Sequence, residues 1–285
     1  MQLYSPRVIR TMMDKYQIYP NKNLGQNFLI DNNIIKRISD IANLTNEDVV
    51  LEIGPGFGAL TKELVDKCKH VYAIEIDQKL TQLLKENFSN INNLTVVNGD
   101  ALQLDYQSLL SKEYNSTEIK VVANLPYYIT TPLVLKLVRH NININKLIFM
   151  VQEEVANRFL ANPGEKEYSA VSVILDFYCI GNKELKIPKN VFYPKPKVES
   201  SVISLHKRAT PKVKVSNEDK FIEFVKTSFH KKRKTLLNNL TDYYLGDKEQ
   251  LKELFTNVNI DIKVRAEQLS VEEFAQIFEI FYNNS

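Results

Sequence analysis

The apolar run Val49-Val50-Leu51-Glu52-Ile53 passes without a spacer into Gly54-Pro55-Gly56-Phe57-Gly58, and an apolar helical pattern resumes at Leu60. A short apolar run that stops at glycine reads as a strand buried on both faces. A glycine-rich turn between such a strand and a helix lets the chain reverse tightly and lets a ligand approach the backbone. The spacing here is Gly-x-Gly-x-Gly. It lacks the later glycine of the dinucleotide fingerprint and the Gly-Lys-Ser/Thr of a phosphate-binding loop. No basic residue stands in the turn, so its ligand is expected to have no phosphate to hold.

Strands and helices alternate on both sides of this turn. Asp31 is placed to cap a helix with the apolar stripe Ile34, Ile35, Ile38 and Ile41. Val71 to Ile76, Leu94 to Val97, Ile119 to Ala123 and Leu147 to Val151 read as further strands, and Leu80, Leu83, Leu84 and Phe88 line another helix face. Val171 to Tyr178 and Ser201 to Leu205 read as two more strands, antiparallel additions at one edge. The alternation predicts an α/β fold with a parallel, doubly wound, Rossmann-like sheet. After about residue 207 only helical patterns remain, around Phe221, Leu236, Leu251 and Phe274, and Ser270 with Glu273 has capping-box spacing. The expected organisation is a ligand-binding domain over 1–207 and a small C-terminal all-α domain over 208–285, joined near Thr210-Pro211. Residues 1 to about 20 show no assignable pattern.

Two acids follow the turn at telling places. Glu75 ends the second strand, where a carboxylate accepts hydrogen bonds from two ribose hydroxyls. Asp100 ends the third, where it can accept from an adenine amino group. Each feature alone is weak, since strand-end acids often cap helices. In order, and without a phosphate binder, they describe an adenosine with an uncharged 5′ linkage, which suits S-adenosylmethionine as cofactor.

The fourth strand runs into Asn124-Leu125-Pro126-Tyr127-Tyr128, at the sheet edge where such folds bind ligands. The exocyclic amine of adenine is a poor nucleophile because its lone pair is delocalised into the ring. Acceptors on its two hydrogens free that lone pair. The Asn124 side-chain oxygen and the Leu125 carbonyl can supply them, Pro126 stiffens the turn, and Tyr127 offers a face on which a base stacks. A second aromatic stands in Phe192-Tyr193-Pro194-Lys195-Pro196-Lys197-Val198. Phe192 is expected to sandwich the base opposite Tyr127, with Lys195 and Lys197 on flanking phosphates. The alternative is a core phenylalanine in a stiff connector.

The formal net charge of +3 says less than its distribution. Lys183 to Lys214 holds nine Lys/Arg against two Glu, and Lys226 to Lys234 holds five and no acid. Such runs attract a polyanion when they share a face, or are solvated surface when they do not. Cys68 and Cys179 stand far apart and the four histidines are scattered, so neither a disulfide nor a metal site is expected, and a reducing cytoplasm is. No apolar run is long enough to span a membrane, and no secretory signal begins the chain. Nothing demands a dimer, so a monomer is expected.

Four ordered segments, Lys22 to Leu29, Glu52 to Thr61, Asn124 to Tyr127 and Phe192 to Ser200, together resemble the ribosomal RNA adenine dimethyltransferase family over nearly the whole chain. The resemblance implies that Asn27 and Leu29 touch the cofactor and that Gly54 lies under its methionine part. It further implies that Glu75 binds the ribose, Asp100 the adenine, and Asn124 both cofactor and target amine. Two branches are close. One dimethylates two adjacent adenosines near the 3′ end of small-subunit rRNA in the immature 30S subunit. The other methylates large-subunit rRNA and confers macrolide resistance. Pro55 and Leu125 look like the first branch, and the basic Lys231 to Lys234 cluster suits docking on a ribosomal subunit. A non-catalytic RNA-binding factor on the same fold is the third reading, against which the intact Glu75, Asp100, Asn124 and Tyr127 stand.

Overall fold

A computed structural model describes residues 2–20, 25–114, 118–140, 142–241, 248–257 and 260–283. The chain divides into two compact units, Met1–Ala156 with Asn182–Lys207, and Asn157–Gly181 with Arg208–Ser285. Residues 157–181, expected in the first domain, group with the second.

The first unit is built on a sheet whose strands stand in the order β4-β3-β2-β5-β6-β9-β7. They are β2 (Val49–Ile53), β3 (His70–Glu75), β4 (Leu94–Asn98), β5 (Ile119–Asn124), β6 (Ile144–Gln152), β7 (Cys179–Ile187) and β9 (Ser200–Lys207). The five strands β4 to β6 are parallel, and β9 returns antiparallel beside β6. The order reverses between β2 and β5, which creates a crevice at their carboxyl ends. All five residues of β2 are buried. Helices α2 (Asn32–Ala42), α3 (Ala59–Val65), α4 (Gln78–Asn87), α5 (Tyr106–Tyr114) and α6 (Thr130–Arg139) alternate with the strands, and α7 (Glu153–Phe159) follows β6. The Asp31 side chain accepts from the Asn33 and Ile34 amides at 2.9 and 3.1 Å, the expected cap on α2, a contact worth about 1 kcal/mol.

The N-terminal arm is a helix, α1 (Pro6–Tyr16). Pro6 opens it with a preset φ, and Ile9, Met12 and Met13 pack with Leu80, Leu83 and Leu84 of α4 and with Phe28, Phe57 and Phe88. The i, i+3, i+4 spacing was present in the sequence, but a single stripe of three apolar residues is short. A two-residue strand β1 (Phe28–Leu29) pairs antiparallel with β8 (Phe192–Tyr193), setting Leu29 opposite Phe192. Thus two segments far apart in sequence are fastened together beside the sheet.

The segment expected as a strand over Val171 to Tyr178 is a helix, α8 (Ala170–Tyr178). Ser169 and Ser172 cap each other across its first turn, and the Ser172 hydroxyl donates to the Arg158 carbonyl at 2.5 Å. Seven of its nine residues are buried, so it shows no polar face and its period is hidden. The other expected edge strand, Ser201 to Leu205, is within β9. The second unit gathers α8 with α9 (Glu218–Ser228), α10 (Leu236–Leu240), α11 (Lys248–Asn257) and α12 (Val271–Asn283). Its core is aromatic. Phe221 lies 4.9 Å from Phe177 and 5.5 Å from Phe278, and Phe224 lies 5.4 Å from Phe281, between ring centroids, pairs worth about 0.5–1.5 kcal/mol each beyond burial. Ser270 and Glu273 form the expected capping box on α12, at 2.8 and 3.2 Å.

Candidate active site

Each parallel strand on the crevice side delivers one functional group at its carboxyl end. Gly54, directly after β2, has φ +70°, and its amide donates to the Ile74 carbonyl at 2.9 Å. Gly56 and Gly58 also take positive φ. A Cβ on Gly58 would stand 2.6 Å from Phe88, and one on Gly56 would stand 2.9 Å from Phe28. The turn therefore needs glycine for conformation and for space at once.

Glu75 ends β3 and is 4% exposed. Its carboxylate is gripped by two backbone amides, Gly56 to Oε2 at 3.1 Å and Asp77 to Oε1 at 3.0 Å. Burial pushes its pKa up to about 7, against these hydrogen bonds and with the Asp77 charge adding to the rise. Asp100 follows β4, and its Oδ1 accepts from the Leu102 amide at 2.8 Å. Both line one cavity with Gly54, Asn27, Leu29, Asn124, Leu125, Pro126 and Tyr127. Nine of the ten residues predicted from sequence thus meet at one place. Lys22, Asn23 and Leu24 of the N-terminal motif lie outside the described residues.

Asn124 ends β5. Its Nδ2 donates to the Asn27 carbonyl at 3.0 Å. A carbonyl can only accept, so this contact decides which end of the amide is nitrogen and turns Oδ1 to the other side. Asn27 is held in turn by its own Nδ2 on the Gly25 carbonyl at 3.0 Å. The Leu125 amide donates to the Met150 carbonyl on β6 at 3.1 Å, and the Pro126 carbonyl accepts from Ile129 and from the Thr130 hydroxyl at 3.3 and 3.0 Å. The loop Asn124 to Tyr127, the candidate active loop, is therefore tied to the neighbouring strand, to the first turn of α6 and to the N-terminal motif. Tyr127 is half-buried, and burial raises its phenol pKa while the Ser200 hydroxyl opposes the rise.

Phe192 is not brought to this cavity. It is 3% exposed and packs in the core with Leu29, Val122, Ile148, Met150 and Val202. Pairing of β8 with β1 turns its ring inward, so the alternative of a core phenylalanine describes its placement.

Several lining residues had not been singled out. Glu52 is 1% exposed, and among the described residues its Oε2 has no hydrogen-bond partner. Burial pushes its pKa up to about 8, with the Thr61 hydroxyl opposing and the Glu75 charge adding. A carboxylate inside an otherwise apolar strand was the signal that could have found it. Ile76, 42% exposed directly after Glu75, and Tyr128, 49% exposed, complete the open side, while Leu3 and Ile9 of the N-terminal arm close another. The charged lining consists of Glu52, Glu75 and Asp100, and among the described residues no Lys, Arg or His joins them. Such a cavity repels phosphate and attracts a cation.

A family model described as ribosomal RNA adenine dimethylase matches residues 19–283. The chain belongs to that family. The family expected from the four segments, the Rossmann-like fold and the methyltransferase class are all borne out. The chain is 43% identical to the ribosomal RNA small subunit methyltransferase A of Natranaerobius thermophilus, across 99% of this chain and 98% of that one. It is 44% identical to the protein of the same name in Clostridioides difficile, across 98% and 96%. Among solved structures, a dimethyladenosine transferase from Plasmodium falciparum aligns with a TM-score of 0.76 at 26% identity, covering 90% of this chain and 98% of that one. The 23S rRNA methyltransferase ErmE aligns with a TM-score of 0.68 at 26% identity, covering 90% and 100%.

Proposed function

We propose that this rRNA adenine dimethyltransferase uses S-adenosylmethionine to methylate the exocyclic N6 of two adjacent adenosines near the 3′ end of small-subunit rRNA. It would act in the cytoplasm, as a monomer, on the immature 30S subunit. The observation that carries the chemistry is one cavity lined by three carboxylates and, among the described residues, by no basic one, with an oriented Asn124 at its edge. When bound, S-adenosylmethionine supplies an electrophilic methyl on a sulfonium, a good leaving group. Glu75 accepts from the ribose hydroxyls, Asp100 from the adenine amine, and the Gly54 backbone lies under the methionine part. Asn124 Oδ1 and the Leu125 carbonyl accept from the target amine, and Tyr127 stacks on the base. Positioning of this kind lowers a barrier by up to roughly 7–11 kcal/mol. The small-subunit substrate is supported by relatives of that name at 43 and 44% identity, against 26% for ErmE.

The test is transfer of labelled methyl to small subunits from cells lacking the enzyme, with nucleoside analysis of the RNA. Dimethyladenosine on small-subunit rRNA is expected. Label on large-subunit RNA alone would select the resistance reading, and cofactor binding without transfer to any RNA would select the non-catalytic one.

The basic cluster Lys231, Lys232, Arg233 and Lys234 is exposed. Its turn is fixed from below by Asn239, whose Nδ2 donates to the Ser228 carbonyl at 2.8 Å and whose Oδ1 accepts from the Lys231 amide at 3.0 Å. Replacing the four by Gln should weaken RNA binding and flatten its salt dependence, by about 0.7–0.9 in the log–log slope for each phosphate no longer neutralised. An unchanged slope would place these side chains away from RNA.

A further inference from the structure

Lys136 lies on α6, ten residues beyond the active-loop Pro126, and is half-buried. Its Nζ donates to two backbone carbonyls, Leu102 at 2.8 Å and Leu104 at 2.9 Å. Both belong to the turn that begins at Asp100. Among the described residues its ammonium makes no ion pair; it lies over the face of Tyr106, 4.9 Å from the ring centroid. Tyr106 is fully buried, and its hydroxyl donates to the Ala101 carbonyl at 2.6 Å. His140, one turn further along the chain from Lys136, stands edge-on to the same ring at 5.7 Å. Three carbonyls of one short turn, those of Ala101, Leu102 and Leu104, are thus held by two side chains that are not among the residues lining the cavity.

That turn is also bonded within itself. Within it, the Asp100 carbonyl accepts from the Gln103 and Leu104 amides at 2.9 and 3.0 Å. Its first two residues, Asp100 and Ala101, face the cavity. A half-buried ammonium costs free energy unless it is satisfied, and a surface turn needs no such partner to close. Committing a charged side chain to bare carbonyls makes sense where the turn must stay in one place.

We propose that Lys136, seated on Tyr106, is a positioning residue: it locks the Asp100–Leu104 turn to α6, so that the groups receiving the cofactor's adenine are held in register with the active loop that opens α6. This rests on the reading of Asp100 as the adenine acceptor. Lys136 touches neither cofactor nor RNA in this scheme. Its removal should therefore act on cofactor affinity and not on the chemical step.

The test uses the full chain with S-adenosylhomocysteine as the titrated ligand, followed by calorimetry, and steady-state methylation of small subunits. Lys136→Met keeps the stem over Tyr106 and removes the donors. It is expected to raise the dissociation constant about tenfold. The kcat at saturating cofactor and the KM for RNA should stay within about twofold. A loss of fold alone would lower the active fraction and leave the dissociation constant of the remainder unmoved. In an Asp100→Ala background the same substitution should add less than about twofold, because both act through one turn. The proposal is overturned if Lys136→Met binds within twofold of the parent, or if its effect is undiminished beside Asp100→Ala. Should Lys136→Met fail to fold, Tyr106→Phe, which removes only the hydroxyl bond to Ala101, gives the same comparison with an expected rise of about threefold, and no rise overturns it. Asp100→Ala with parental affinity would instead sink the adenine reading, and the positioning role with it.

Discussion

Asn124→Ala is expected to fold, to bind cofactor within a few-fold of the parent, and to lose turnover by a factor on the order of 10²–10³, the loss typical when one preorganised hydrogen-bonding group is removed from a reacting centre. The expectation follows from the direction of one amide. Nδ2 is committed to the Asn27 carbonyl, so Oδ1 is the end left to meet the substrate amine. An acceptor at that place draws one amine hydrogen out of conjugation and frees the nitrogen lone pair, an interaction stronger in the transition state than in the ground state. The loss should therefore appear in kcat rather than in KM. The mutation also leaves the Asn27 carbonyl without its partner, which costs about 1–3 kcal/mol and should show as a fall of several degrees in Tm. Rapid-quench or steady-state methylation of small subunits, beside a thermal melt, separates the two effects. Parental kcat in Asn124→Ala would refute the acceptor role, whereas a proportional loss of cofactor affinity would place the residue's main contact on the cofactor.

The Asn27–Asn124 contact marks where sequence stops informing. The groups at strand ends were legible because each depends on a local pattern. An apolar run stopping at glycine puts Gly54 at the turn, and an acid closing a run puts Glu75 and Asp100 beside it. Parallel order then forces all of them to one edge. A bond between residues 97 apart has no local signature. Nor has the side on which Phe192 falls: in a two-residue strand a shift of register by one exchanges the two faces, and here Phe192 goes to the core while Tyr193, opposite Phe28, carries the Arg10 guanidinium 5.5 Å from its ring centroid. The helix at Ala170–Tyr178 was missed for a different reason. Val, Ile and Phe dominate it, and burial on nearly all sides erased the period that separates helix from strand. The strand Cys179–Ile187 after it was missed because five consecutive exposed residues, Ile180 to Glu184, conceal its alternation.

Cofactor affinity should fall as pH drops below about 7, and Glu75→Gln should remove most of that dependence along with most of the affinity. The sign follows from the burial of an acid. In the free protein, burial raises Glu75 to about 7, well above the value of 4.5 for an unburied glutamate. Between those values the folded protein holds a proton that the unfolded chain has released. Its stability therefore declines as pH rises across this window, and the cost of the buried charge is fully present above it. Ribose hydroxyls can donate to both oxygens only in the ionised form, so binding below pH 7 must expel the proton. The dissociation constant then rises by up to tenfold for each unit of further acidification. Glu52, raised to about 8 at the same cavity, extends the effect upward, and a cationic ligand favours the ionised state of both carboxylates. Glu75→Gln keeps the shape but presents an amide to two backbone donors, Gly56 and Asp77, of which it can satisfy only one by its oxygen. The expected loss of affinity is on the order of 10²-fold, the sum of two ribose hydrogen bonds to a charged group at about 1.5 kcal/mol each. Calorimetric titration of S-adenosylhomocysteine at pH 5.5, 6.5, 7.5 and 8.5 reads both predictions. In the parent, ligand should raise Tm more at pH 8.5 than at pH 5.5, because tighter binding stabilises more. A parental affinity flat across these values would mean that the carboxylate is already ionised before the cofactor arrives, and that the two backbone amides outweigh its burial.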